Sequence, residues 1–342
     1  MKKLLSIEQK HLVDVTECWT FEKLSIIQAS PFSEDWLASH LNIIMHSDYS
    51  VSFGDSYYKY SPAYFDDILH AKVIDYFQNQ NVLDVIIDNI NQGRYVKFFR
   101  WLIYGYNTEE KIVYILLEKN APWENKITFN EVEGRFRGFI KEFGKEDLSS
   151  KDINVRLDAA KHFQYPFVTY AIRKDYSADN CPYSALTKID REIWGNRLQI
   201  TEWDDTNPEN VTMAYDGLAC LQGLKKQVFA YMMGDTINIS RLSKTIKKLH
   251  EHRCLLLLSL NYIRKKWKIE GEVSNECIKT YRNCCDIVEQ WCLLALKYEA
   301  ISEPRLLQKI YDAIDKQSEQ EKHALLEFQK IAYDWYNEQN LI

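Results

Sequence analysis

An α+β fold is expected from the amino-acid sequence: an N-terminal domain with a short antiparallel sheet, then a mainly α-helical bundle domain. The segment GRYVKFFRWLIYGYNTEEKIVYILLEKN (93–120) holds two runs of apolar, aromatic and β-branched residues joined by NTEEK (107–111), the pattern of a β-hairpin. From Leu242 onward, apolar residues recur at alternating spacings of four and three, the seam of packed helices. Between these regions the stretch KEDLSSKDIN (145–154) is polar enough to mark a boundary. A chain of 342 residues exceeds one ordinary core, so the expected domains are 1–152 and 153–342.

The elements follow in order. Within VDVTECWTFEKLSIIQA (13–29), Phe21, Leu24 and Ile27 share a helical face, and Cys18 stands at the start of that helix. PFSEDWLASHLNIIM (31–45) predicts a second helix, with Ser33 as N-cap and Trp36, Leu37, Leu41 and Ile44 on one face. Asp48 to Pro62 alternates and is crowded with Tyr and Phe, as in a strand or irregular segment. Residues 64–92 read as helical, ending near Gly93. From Arg94 to Tyr106 the one turn residue is Gly105, next to the end, so the segment read literally is one strand of about 13 residues, longer than strands usually run. A helix is expected after Thr128. Beyond about residue 155 the strand signal fades. DYSADNCPYS and EWDDTNPEN make 176–212 turn-rich, and long helices are expected over 242–267, 277–291 and 307–335.

Composition narrows the function. A net charge of −6 argues against nucleic-acid binding by charge alone. No run approaches the roughly 18 uninterrupted apolar residues of a membrane span. The start, MKKLLSIEQKHLV, is broken by Glu8, Gln9 and Lys10 and is too short for a signal-peptide core. The eight cysteines, with Cys284 and Cys285 adjacent, form no disulfide framework, and a cytoplasmic protein is expected.

INQGRYVKFF (90–99), followed by LIYGYNTEEKIVYIL (102–116), resembles the butirosin biosynthesis protein H N-terminal-like family. These are papain-fold, bacteriocin-peptidase-like proteins of antibiotic and nonribosomal pathways, related to the amide-forming enzyme of closthioamide biosynthesis. ISRLSKTIKKLHEHRCLLLLSLNYI (239–263) is similar to a Glu-His-basic helix that follows the papain-like domain in such proteins. The resemblance implies a papain-like, cysteine peptidase-like domain over 1–152. It implies an acyltransferase in which a cysteine takes an acyl group from a carrier-protein thioester and passes it to an amine. The phosphopantetheine arm of an acyl or peptidyl carrier protein would bring the substrate, with no resident cofactor. Cys18 matches the family nucleophile. The family histidine falls just before the LIYGYN-like sequence, where this chain has Phe98, Phe99, Arg100 and Trp101, and no histidine lies between His70 and His162. Glu118 or Asn120 stands where the orienting Asp or Asn belongs. The oxyanion glutamine is absent, Gln9 being too far upstream. His11, His40 and His46 are the other candidates for a base, which the thiol chemistry requires. Losing one member of a triad costs several orders of magnitude in rate. The alternative is therefore a pseudoenzyme that binds a carrier protein or an active paralogue. A cysteine peptidase is weaker still, lacking both glutamine and histidine.

Other residues carry two readings each. Arg253 falls on the apolar seam of its helix and needs either a buried ion-pair partner or, with Glu251 and His252, a cleft to line. Residues 241–268 hold nine Lys or Arg against one acid, Glu251. Lys244, Lys247, Lys248 and Arg253 thus suggest docking of an acidic carrier protein, or else a solvated helix face. His250 and His252 are two apart and share no helix face, so no zinc pair is expected. Cys277, Cys284, Cys285 and Cys292 lack C-x-x-C spacing and read as core packing, with no metal site. Tyr57 and Tyr58, with Tyr60 and Tyr64, could line an acyl pocket or a half-buried sheet surface.

Overall fold

The structure, a computed structural model, describes residues 1–8, 18–39, 43–53, 68–73, 81–98, 101–116, 125–143, 168–176, 181–194, 197–201, 211–236, 239–269 and 271–340. It is an α+β protein. In chain order the elements are β1 (Lys2–Leu4), α1 (Cys18–Gln28), α2 (Trp36–Ser39), β2 (Ile43–Met45), β3 (Val51–Phe53), β4 (Leu69–Val73), α3 (Val82–Asn91), β5 (Tyr95–Phe98), β6 (Trp101–Asn107), β7 (Ile112–Leu116), β8 (Asn125–Thr128), α4 (Phe129–Phe143) and β9 (Val168–Ile172). There follow α5 (Cys181–Ile193), β10 (Arg197–Thr201), β11 (Val211–Asp216), a 3-10 turn (Gly217–Ala219), α6 (Cys220–Met232), α7 (Leu242–Lys266), α8 (Glu272–Ile301) and α9 (Pro304–Asn340). Two compact units emerge: Met1–Ser33 with Tyr58–Tyr176, and Glu34–Tyr57 with Ser177–Ile342. The boundary expected at 152 lies outside the described residues.

The first unit is built on an antiparallel sheet in the order β4-β9-β5-β6-β7-β8, with β1 also paired to β6. β6 divides one edge between two neighbours. β5 pairs with Trp101–Ile103 and β1 with Gly105–Asn107. Gly105 makes this possible, because a Cβ there would lie 2.5 Å from Leu4 Cδ2 and 2.6 Å from the Lys3 carbonyl oxygen. The single long strand expected over 94–106 is two strands instead, with Phe98 opposite Trp101. No Gly, Asn or Pro marks that reversal, so the usual turn chemistry gives no sign of it. The β6–β7 hairpin is as expected, its turn closed by Lys111 at φ 55°.

Helix α3 begins at Asn81, whose side chain accepts a hydrogen bond from Leu83 N at 3.0 Å, and it ends before Gly93 at φ 76°. It buries Val82, Leu83, Val85, Ile86 and Ile90 in the core with Val96, Ile103, Val113 and Ile115. The helix expected from residue 64 is therefore shorter, and its first part contains β4. The expected helix after Thr128 is α4. Thr128 and Glu131 exchange hydrogen bonds across its first turn, Thr128 N donating at 2.7 Å and Glu131 N at 3.2 Å, so each satisfies an unpaired amide. Helix α1 is not simply amphipathic. Every residue from Glu22 to Gln28 is buried, including the polar Glu22, Lys23, Ser25 and Gln28. Burial of such groups requires compensation. Lys97 of β5 forms an ion pair with Glu22, and Lys23 Nζ lies 5.6 Å from the Tyr170 ring centroid.

The second unit combines a four-stranded antiparallel sheet, β10-β11-β2-β3, with α5 to α9. The helix expected over 31–45 is confined to α2, because Ile43, Ile44 and Met45 form a buried strand paired with β3 and β11. A short apolar run does not reveal its own periodicity. Nor does the strand signal end near 155, since β9, β10 and β11 follow. The turn-rich 176–212 also contains α5. The three long helices are as expected. Their seam residues Leu256, Leu260, Tyr281, Leu325 and Phe328 share one core, and Leu242, Ile246, Leu249, Val288, Ile310 and Ile314 share another. Trp267 and Trp335 stack 4.8 Å apart. Among the described residues no helix is long and apolar enough to cross a membrane.

Candidate functional site

Cys18 is the first residue of α1, as the sequence indicates. Its side chain lies outside the described residues, as do Tyr57, Tyr58, Arg100, Glu118 and Asn120. One turn further, Glu22 meets Lys97, so β5 presents a cation to this helix. Among the described residues of this unit the single histidine is His70, exposed on β4. A groove of about 460 Å³ is lined by Trp101, Ile115, Ile127, Glu131, Gly134 and Arg135, with the Arg135 guanidinium 4.2 Å from the Trp101 ring centroid. It offers an apolar wall and two charges, but no nucleophile.

In the second unit, α7 carries the basic residues. Lys244 and Lys247 are exposed and Lys248 is half-buried. Glu251 accepts from Lys248 at 3.1 Å and lies 4.0 Å from Lys247. Lys244 and Lys247 therefore face solvent in a position to meet an acidic surface.

Arg253 does not belong with them. Its side chain is 0% exposed and is paired to Glu321 at 3.1 Å and to Glu192 at 3.7 Å. The docking role expected for Arg253 is corrected accordingly: a guanidinium sealed between two carboxylates presents no surface to a partner. The cluster reaches further. Arg253 Nη1 lies 3.2 Å from His252 Nδ1, and Gln317 donates to Glu321 Oε1 at 2.9 Å. Burial lifts the Glu192 carboxyl to about 8, against the opposing pull of Arg253. Arg253 Nη2, Tyr281 Oη and both Glu192 carboxylate oxygens have no hydrogen-bond partner within the protein.

A second arrangement on α7 was legible only in part. His250 and Cys254 are four residues apart and so share a face, in HEHRC. Weighing His250 against His252 alone conceals that pair. His250 Nε2 lies 3.4 Å from Cys254 Sγ. Both side chains are half-buried. The neighbouring Cys285 thiol of α8 and then the His250 imidazole hold the Cys254 thiol down to about 5. His250 is raised, chiefly by its bond to Cys254, with Glu289 and Glu251 adding negative charge nearby. Cys285 is raised by its neighbour Cys254 and by burial. Cys277 and Cys284 are buried as expected, and Cys292 is half-buried with a raised thiol. Among the described residues no group of three or more His, Cys, Asp or Glu is placed to hold a metal ion.

Neither a protein-family model nor a curated protein matches this chain.

Proposed function

We propose that this protein is a cysteine-dependent, amide-forming acyltransferase of a nonribosomal peptide or other secondary-metabolite pathway, with Cys18 as acyl acceptor in a papain-like N-terminal domain. The observation that carries this reading is the position of Cys18 at the first residue of a helix whose following turns are buried and tied to an antiparallel sheet through Glu22 and Lys97. Unpaired amides at a helix start favour a thiolate. In this reading the Cys18 thiolate attacks the thioester carbonyl of an acyl group carried on a phosphopantetheine arm. The carrier thiol leaves with a proton. An amine then attacks the cysteinyl thioester, giving the amide and restoring the thiol.

Loading with a model acyl thioester, followed by intact-protein mass spectrometry and peptide mapping, tests the proposal. The acyl adduct is expected on Cys18 and absent from Cys18→Ala. Equal labelling of both proteins sinks it, and mapping shows whether another thiol took the group.

The exposed Lys244 and Lys247 favour a second reading, a pseudoenzyme that docks an acidic carrier protein or a paralogue without chemistry. Charge reversal at Lys244, Lys247 and Lys248 then abolishes binding of an acyl carrier protein. Unchanged binding refutes that surface.

A further inference from the structure

We propose that Glu192, Arg253 and Gln317 form an internal site that binds ordered water between α5, α7 and α9. The site lies wholly in the second unit and is independent of the Cys18 chemistry. These three side chains and Glu321, which joins two of them, are each at most 1% exposed. Glu321 Oε2 accepts from Arg253 Nε at 3.1 Å, and Glu321 Oε1 accepts from Gln317 Nε2 at 2.9 Å. Gln317 Nε2 also donates to the Cys284 carbonyl at 3.0 Å. Glu192 closes the group from α5. Its Oε1 lies 3.7 Å from Arg253 Nη1 and its Oε2 lies 3.7 Å from His252 Nε2. Both separations are too long for a direct hydrogen bond.

Matching donors to acceptors leaves a remainder. A guanidinium has five N–H donors. Arg253 directs Nε to Glu321, and its Nη1 lies 3.2 Å from His252 Nδ1. Its Nη2 has no hydrogen-bond partner among the described residues, and neither have Glu192 Oε1, Glu192 Oε2 or Gln317 Oε1. Buried polar groups in folded proteins nearly always find a partner, and where the protein supplies none, ordered water does. The remainder here contains donors and acceptors together, so the ligand must both accept and donate. Water accepts from Arg253 Nη2 and donates to oxygens of Glu192 and Gln317. Whether or not Glu192 carries a proton, at least one of its oxygens accepts. Charge argues against an ion. The guanidinium opposes a cation, the two carboxyl groups of Glu192 and Glu321 oppose an anion, and the Arg253–Glu321 pair is already balanced. The near-complete burial of every member suits a ligand as small as water.

The test is a high-resolution crystal structure of the full wild-type chain, grown with sodium bromide in place of chloride. An ordered water oxygen is expected within about 2.7–3.2 Å of Arg253 Nη2 and of an oxygen of Glu192 or Gln317. An anomalous bromide peak at that position would make the ligand an anion and overturn the proposal. Direct contacts among these side chains, with no ordered solvent between them, overturn it as well. Oxygen-17 relaxation dispersion counts long-lived internal waters in solution. Glu192→Met combined with Gln317→Leu removes the unpaired acceptors of the site, and the count should fall by at least one relative to the wild type. Glu192→Gln keeps an acceptor and the side-chain shape, and should keep the wild-type count. An unchanged count in the double variant refutes the site. If the double variant does not fold, the wild-type crystal structure decides.

Discussion

Arg253 Nε lies 3.1 Å from Glu321 Oε2, with both side chains fully buried and their positions 68 residues apart in the chain. Such a pair adds little net stability compared with apolar groups of the same volume, because both ions lose their hydration. Removing one member is different, since the other charge is left in a medium that cannot solvate it. Arg253→Met leaves the buried Glu321 carboxylate without its cation and removes the charge that opposes the rise at Glu192. The expected cost is about 3–5 kcal/mol in urea unfolding. A loss under about 1 kcal/mol would mean that the carboxylates are neutralised in another way.

Glu192 carries a pH signature. Its carboxyl ordinarily titrates at 4.5 and is lifted to about 8 in the folded protein, chiefly by burial, with Asp216 and Glu321 adding to the rise. The folded state thus retains a proton that the unfolded chain releases. The stabilisation this gives is fully present below about pH 4.5 and is lost as the pH rises through about 8. Glu192→Gln keeps the shape and has no proton to lose. Between pH 4.5 and 8 the wild type should lose a few kcal/mol relative to this variant, on the scale of 1.36 kcal/mol per pKa unit. Paired unfolding curves at pH 5 and pH 8 read the difference, and a constant gap between the two proteins would refute it.

Lys97 and Glu22 join β5 to α1 across a buried contact. Lys97→Met should cost about 3–5 kcal/mol, and adding Glu22→Leu should recover much of that loss, since the double variant removes both ions of the pair. Denaturation of both single variants and the double variant gives the coupling. Simple additivity of the two losses would show that the pair does not interact.

Gly105→Ala puts a methyl group against Leu4 and the Lys3 carbonyl. The expected result is release of β1 at a cost of about 1–3 kcal/mol, the range for overpacking. Hydrogen exchange should quicken at Lys2–Leu4 and stay unchanged in α8. Undisturbed protection at β1 would show that the strand shifts to accommodate the methyl group.

Some of this fold is plain in the primary structure. The β6–β7 hairpin follows from alternating β-branched and aromatic residues around a polar turn. The seams of α7, α8 and α9 follow from apolar residues three and four apart. Other elements leave little trace. Ile43–Met45 reads as the end of a helix because three apolar residues have no period. The reversal between Phe98 and Trp101 lacks every residue that ordinarily marks a turn. The all-round burial of α1 is invisible in a segment that includes Glu22, Lys23, Ser25 and Gln28, because Glu22 is met by Lys97 of β5 and Lys23 by Tyr170 of β9, which lie far along the chain.

The same division holds for the chemistry. Residue order alone placed Cys18 at a helix start, Arg253 on an apolar seam in need of a counter-ion, and His250 one turn from Cys254. These are relations within a few residues, governed by the pitch of a helix. Folding selected Glu321 and Glu192 as the carboxyl groups that enclose Arg253. Those pairings depend on which distant segments chain closure brings together, and on the low dielectric they enclose. Neither is encoded in any local spacing.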